Sequence, residues 1–229
     1  MKKKIVPRSL LITISSRIRS RIRYYRRNVP LSGLGPQLFF DVLAKAGILI
    51  HPYHVVAESL GQVRARPPAE KFAEYEVGFL GPSEMPAIAA LPGRTLSLED
   101  LLSRLQVGKR CLGVKNRGEV VAFTWCSLTE GTIGSYRVFS LQEHEAYLFD
   151  AYTVEQFRGV GIAPYLRYRC YEELAKLGRL RCYSMTAVWN SSAARFKRKL
   201  GAQIVELGVL VSLFRRWRFH FRLRDYSRR

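Results

Sequence analysis

Acidic side chains are scarce in this chain. Its 229 residues hold 18 Asp and Glu against 38 Lys and Arg, a formal net charge of +20. That imbalance argues against a cationic partner and points to something anionic: nucleic acid, a phospholipid surface or a phosphorylated ligand. Cysteine and histidine are equally sparse. Cys111, Cys126, Cys170 and Cys182 form no C-x-x-C pair, and His51, His54, His144 and His220 are scattered. No metal site is therefore expected, and the thiols suit a reducing compartment. Long apolar runs are missing as well. AGILI (46–50) is among the longest, far short of the roughly 20 residues that span a bilayer. The start, MKKKIVPRSLLITISS, has a basic head and a short apolar patch. Arginines follow at once where a signal peptide would carry a small-residue cleavage site, so the segment is expected to be retained and the protein cytoplasmic.

What the chain does have is core-forming material, 48% hydrophobic and 12% aromatic, which excludes disorder throughout. Its charge is concentrated at the ends. Residues 1–30 carry ten basic side chains and no acid; residues 207–229 carry seven arginines and one acid, Asp225. Over 8–27, Leu11, Ile14, Ile18, Ile22 and Tyr25 recur at helical spacing, with Arg17 and Arg21 flanking the stripe. A basic amphipathic helix fits this pattern. Three readings stay open: a helix lying on an anionic membrane face, a helix packed on the domain, and a nucleic-acid contact. The alternation R-I-R-S-R-I-R also fits a strand. At the other end, FRRWRFHFRLRDYSRR (214–229) interleaves arginines with Trp217, Phe219 and Phe221. It fits single-strand stacking, a membrane interface or an edge strand.

Four divisions follow: a basic extension and linker (1–36), a helix-and-strand extension (37–74), a main domain (75–214) and a basic aromatic tail (215–229). Residues 38–47 read as a short helix, and 48–60 as extended, with Pro52 keeping them at an edge or bulge. In the main domain, 75–80 reads as a strand. Residues 97–108 read as a helix capped by Ser97 and Asp100 and stopped by Gly108. Residues 110–128 read as a hairpin about Asn116-Arg117-Gly118. Strands are expected at 145–154, 181–189 and 203–214, with helices after the glycine turn and at 190–201. Leu166, Cys170, Leu174 and Leu177 mark the inner face of the first of these helices. Hairpins early and a strand–helix–strand unit late define an α+β sheet domain.

The stretch EQFRGVGIAPYL (155–166) carries the chemistry. Its glycines stand between a strand and a helix, where backbone N–H groups lack partners and the helix dipole favours an anion. Pro164 sits in the first helical turn, where a missing N–H costs nothing. No lysine makes it a Walker loop, and Gly159-x-Gly161 lacks the third glycine of a dinucleotide fingerprint. Gln156-Phe157-Arg158-Gly159-Val160-Gly161 matches Q/R-x-x-G-x-G/A. On this motif, residues 75–214 resemble the GNAT N-acetyltransferase superfamily. WNSSAARFKRKLGA (189–202) is similar to that family's closing strand–Asn–helix–Gly segment.

The resemblance implies a mostly antiparallel mixed sheet with flanking helices, and acetyl-CoA as co-substrate. It implies that Tyr152, Thr153, Val154, Gln156, Arg158, Gly159, Val160, Gly161, Ile162 and Ala163 hold the cofactor along the strand and loop. Asn190 would hold it where two parallel strands splay. Lys197 stands where many members carry a tyrosine proposed to reprotonate the thiolate. Lys197 reads either as an ordinary surface helix residue or as a holder of a CoA phosphate, which leaves the thiolate's proton to another group or to solvent. Direct acyl transfer needs a neutral amine and hence a base. The acidic candidates are Asp150, in mid-strand, and Glu145, eleven residues before Gln156. Tyr152 is a candidate acid or substrate contact. His51, His54 and His144 read as structural or surface groups.

The expected function is an N-acetyltransferase acting on a small-molecule amine, with the termini (1–30 and 215–229) on an anionic membrane surface at the inner face. The competing expectation is a basic nucleic-acid-associated binding protein or protein acetylator on the same scaffold.

Overall fold

The computed structural model of the protein describes residues 39, 42–63, 66–68, 70–133, 136–214 and 216–227. The extension 1–36, with its expected helix over 8–27, lies outside the described residues.

The centre of the fold is a hairpin that the sequence dictates locally. Strands β3 (Arg110–Asn116) and β4 (Glu119–Ser127) pair antiparallel, with Asn116 opposite Glu119. The two residues between them, Arg117 and Gly118, both have positive φ (52° and 83°). That geometry belongs to the turn whose twist matches a hairpin. β4 is buried at every position after Glu119, because both faces of the sheet are covered. On one face lie α1 (Met85–Ala90) and α2 (Leu98–Gln106), which bring Met85, Ile88 and Leu101 onto Cys111, Phe123 and Trp125. Ser97 caps α2 as expected: its Oγ accepts from the Asp100 N–H, and the Asp100 carboxylate accepts from the Ser97 N–H. On the other face lies α3 (Ile162–Lys176), whose Ile162, Leu166, Cys170 and Leu174 meet Leu112, Val114, Ala146 and Leu148. Leu177, expected on that inner face, is exposed beyond the helix end.

The remaining strands are β1 (Ile48–Glu58), β2 (Tyr75–Leu80), β7 (Glu145–Thr153), β8 (Arg181–Ala187), β9 (Gln203–Leu213) and β10 (Trp217–Asp225). Together they form one eight-stranded sheet, ordered β10-β9-β1-β8-β7-β4-β3-β2. Helix α4 (Ser191–Lys199) connects β8 to β9. Strands β5 (Glu130–Ile133) and β6 (Tyr136–Ser140) form a separate pair that the sequence did not signal. All neighbours are antiparallel except β7 and β8.

Two expectations are corrected here. The segment around Pro52 is not at a sheet edge: β1 lies between β9 and β8. Proline is tolerated because the β8 ladder starts only at Tyr53: beyond it the Pro52 carbonyl accepts from the Val188 N–H (3.2 Å), and no ladder bond calls for an N–H from residue 52. Residues 217–225, set apart as a tail with an edge strand among its three open readings, form the outermost strand of the same sheet, paired to β9, so the segment is part of the main domain's sheet and the edge-strand reading is the one that holds. Among the described residues no helix is long and apolar enough to cross a membrane. No cluster of His, Cys, Asp and Glu among them could hold a metal. All four cysteines are free and buried; burial pushes the Cys126 and Cys182 thiols up to about 11 and about 12, which makes them unreactive.

Candidate active site

The one parallel pair makes the site. β7 and β8 are hydrogen-bonded from Glu145↔Arg181 to Leu148↔Ser184. Beyond that point β7 continues as Phe149–Thr153 and β8 as Met185–Ala187, without pairing to one another. β7 also carries a bulge against β4: Phe123 faces Tyr152 and Trp125 faces Phe149, so Asp150 and Ala151 share one opposing residue. Asp150 has φ 46° there, a backbone cost that non-glycine residues accept only under tertiary constraint. The result is a length of strand whose backbone groups face an opening instead of a neighbour, the arrangement that an extended amide-bearing chain can join.

The opening leads to the glycine loop. A single 3-10 turn (Glu155–Phe157) follows Val154. Gly159 (φ 87°) and Gly161 (φ 99°) then take conformations open to glycine, and Gly161 is the N-cap of α3. Having no side chain, Gly161 leaves the first N–H groups of α3 uncapped. A Cβ on Gly159 would meet no atom within 4 Å, so the loop presents its backbone to open space. The cradle fits a pyrophosphate.

Not every residue expected to hold the cofactor does so by its own groups. The Arg158 N–H bonds to the Glu155 carbonyl (3.2 Å), and its Nε donates to the Thr153 carbonyl (2.9 Å). The Val154 N–H bonds to Val121. The Ile162 side chain is buried in the core. Gln156 is exposed, and Val160 and Ala163 flank the glycines. Asn190 caps α4, its Oδ1 accepting from the Ala193 N–H at 3.0 Å.

The candidate catalytic residues fare differently. Asp150 is gripped by two guanidinium groups: Arg94 donates to both its oxygens (2.7 and 2.8 Å) and Arg104 to one (2.6 Å). Burial would raise its pKa, but the hydrogen bonds from Arg94 and Arg104 outweigh it and the net shift is downward. Asp150 is therefore a poor base, and the expectation that it takes the amine's proton is corrected: it positions the strand bulge by holding Arg94 and Arg104. Asp150→Ala leaves both partly buried cations unpaired and is expected to cost about 2–4 kcal/mol, measured by urea unfolding.

Glu145 stands at the closed end of the β7–β8 ladder. Its carboxylate accepts from Tyr183 Oη and the Gln142 N–H (3.0 Å each). It lines a separate cleft of about 260 Å³ with His220, Glu206 and Asp225, which removes it from the opening. The Tyr152 hydroxyl donates to the Pro92 carbonyl (2.9 Å), and its ring stacks on Phe123, so it is committed to packing. Lys197 is not a surface group: it is buried, and Nζ donates to Thr186 Oγ1 and to the Met185 carbonyl (3.4 Å). A phosphate cannot reach it there.

At the head of the opening is a cleft of about 330 Å³ lined by His51, Tyr53, Tyr147, Phe149, Met185 and Thr186, with Arg104, Lys109 and Asp150 among its polar groups. His51, read from sequence as structural, borders it. Burial lowers the His51 pKa, keeping a neutral imidazole at pH 7. No motif marks His51, Thr186, Arg94 or Arg104; only the sheet brings them together.

A mixed sheet with one splayed parallel pair, opening on a glycine loop at a helix N-terminus, is an arrangement that can receive an extended ligand carrying a pyrophosphate. Residues 84–202 match the model of the acetyltransferase (GNAT) family, and the chain belongs to that family. Among solved structures, a GNAT-family acetyltransferase from Novosphingobium aromaticivorans is similar at 17% identity and TM-score 0.52, over 73% of this chain and 66% of that one. A GCN5-related N-acetyltransferase from Kribbella flavida is similar at 15% identity and TM-score 0.52, over 75% and 62%. A Drosophila protein is similar at 14% identity and TM-score 0.51, over 81% and 59%. The chain thus spans less than two thirds of the length of each, and the likeness is one of fold. No curated protein matches the sequence.

Proposed function

We propose that the protein transfers an acetyl group from acetyl-CoA to an amine by direct attack. The observation that carries this reading is the splay of β7 from β8, opening onto the Gly159–Gly161 cradle. Acetyl-CoA supplies the acetyl group as an activated thioester. The uncapped N–H groups at the start of α3 hold its pyrophosphate. The unpaired edge of β7 over Phe149–Thr153 receives the amide-bearing arm, and a backbone N–H at the bulge faces the oxygen that becomes negative during attack. His51, neutral and bordering the cleft, takes the proton from the attacking nitrogen. The aromatic walls Tyr53, Tyr147 and Phe149, with Arg104 and Lys109 beside them, suit an amine that also carries an anionic or flat apolar group. The basic terminus 1–30 and β10, which exposes Trp217, Phe219, Phe221 and Leu223, favour an acceptor met at an anionic membrane face.

Acetyl-CoA is expected to raise the melting temperature, and free thiol to appear when a panel of polyamines, amino sugars and peptide N-termini is offered. Gly159→Asp places a carboxylate in the cradle and is expected to weaken CoA binding by about 100-fold or more while the protein stays folded. No stabilisation by acetyl-CoA and no thiol release from any amine would defeat the reading. Flotation with anionic against neutral vesicles, with and without residues 1–30, tests the membrane part.

A further inference from the structure

The cleft at the head of the opening holds more positive charge than its own side chains neutralise. Arg104 reaches it from α2, and Lys109 from the loop between α2 and β3. Both converge on one ring. The Arg104 guanidinium carbon lies 5.3 Å from the Phe149 centroid, and Lys109 Nζ lies 5.6 Å from it. Bringing two like charges this near works against their repulsion. Among the described residues Asp150 is the carboxylate that lines the cleft, and it is already occupied. Arg94 donates to both its oxygens and Arg104 to one. Arg94, Arg104 and Lys109, set against Asp150, leave two positive charges uncompensated.

Both cations keep donors for a ligand. Among the described residues Lys109 Nζ has no hydrogen-bond or ion-pair partner, and Arg104 donates to Asp150 through Nη1 alone, leaving Nε and Nη2. Arg104 is also fixed in place, lying 5.1 Å from the Trp125 centroid as well as over Phe149. A guanidinium held this way is a preorganised fork for an anion. Resting on the acetyl-transfer reading above, we infer that Arg104 and Lys109 form an anion clamp, and that the acceptor is a small amine bearing a carboxylate or phosphate near its nitrogen. Phe149, beside both cations, directly precedes the bulge at Asp150, so the clamp adjoins the point of attack. A cleft of about 330 Å³ holds one small molecule, which puts amine and anion on the same short skeleton. The anion takes up the open guanidinium and ammonium donors. A second ammonium in its place would meet two cations in a partly desolvated cleft. The clamp therefore favours amino-acid-like or phosphorylated amines over polyamines and neutral amino sugars. Arg104 and Lys109 set specificity and carry no proton.

The test compares acceptors that differ in the anion: phenylalanine with phenylalaninamide, and phosphoethanolamine with ethanolamine. In at least one pair kcat/KM should favour the anionic member by about 10- to 100-fold, and the pair that does so tells carboxylate from phosphate. Added salt should narrow the preference. Lys109 touches only the Phe149 ring, so its variants are expected to fold. Lys109→Gln should shrink the preference about tenfold, through KM and not kcat, and Lys109→Glu should abolish it. Binding gives a readout that needs no turnover. With CoA present, calorimetry should show N-acetylphenylalanine or inorganic phosphate binding to wild type, N-acetylphenylalaninamide binding about tenfold more weakly or not at all, and no such difference in Lys109→Glu. The clamp is overturned if acetyl-CoA stabilises the protein yet neither pair shows a preference and neither anion binds better than the amide; acetyl transfer then stands without it. If acetyl-CoA gives no stabilisation and no amine releases thiol, the transferase reading falls and the acceptor assignment with it.

Discussion

Gly201→Ala is expected to cost the protein about 3–5 kcal/mol. Gly201 ends α4 in the left-handed conformation (φ 78°). Its N–H bonds to the Arg198 carbonyl (3.0 Å), and the Ala202 N–H to the Lys197 carbonyl (3.1 Å), which closes the helix end. An alanine there carries left-handed strain of about 1–2 kcal/mol. The larger part is steric: its Cβ would lie 2.2 Å from the Gln62 carbonyl oxygen and 3.1 Å from the carbon behind it. Those are backbone atoms of the turn leaving β1, and no rotamer change relieves the overlap. Forcing the two segments apart costs about 2–3 kcal/mol more. At about 2–4 °C per kcal/mol for a chain of this size, the melting temperature should fall by roughly 6–20 °C. Gly178→Ala is the internal control. Gly178 has a similar φ of 74°, but nothing lies within 4 Å of its Cβ position, so it should lose only the strain. Equal losses at the two glycines would remove the steric argument.

Glu58→Ala is expected to cost about 3–5 kcal/mol, because it leaves Arg167 and Lys197 buried without their carboxylate. The pH dependence carries a sign. Burial raises the Glu58 pKa, but Arg167, Lys197, Ser184 and Tyr171 outweigh it and the folded value lies below 4.5. The unfolded state therefore binds its proton first as pH falls. The stability from Glu58 is present in full above the unfolded pKa and is lost as pH descends through the folded one. Wild type should show that acid limb, and Glu58→Ala should lack this contribution to it. Combining Glu58→Ala with Lys197→Met removes one stranded cation and should recover part of the loss, a coupling that a double-mutant cycle measures by urea unfolding. A strictly additive double mutant would show that the two side chains do not interact.

Much of the fold was legible where the relevant contacts are close in sequence. The Ser97–Asp100 cap, the Arg117-Gly118 turn and the glycine loop before α3 each depend on residues within a few positions of one another. Their propensities act before tertiary contacts do. The β5–β6 pair was not legible, because its strands are short and lack clear alternation. β10 was readable only as one of three alternatives, since Arg–aromatic alternation is the same for an edge strand and for a ligand-binding tail. Pro52 misled because its place in the sheet depends on where the β8 ladder begins.

The candidate site divides along the same line. By itself, the sequence determined the anion cradle, since Gly159, Gly161 and Pro164 act through backbone geometry that local chemistry imposes, and it determined the family through those residues. The tertiary structure alone decided what the ionisable side chains do. Asp150 is neutralised as a base by Arg94 and Arg104, 56 and 46 residues away. Glu145 is carried to a different cleft by strand direction. Lys197 becomes a buried ammonium on Thr186 because Glu58 reaches it from β1, bonded to Ser184 across 126 residues of chain. A side chain's protonation is set by burial and by the charges beside it, and both are properties of the folded sheet.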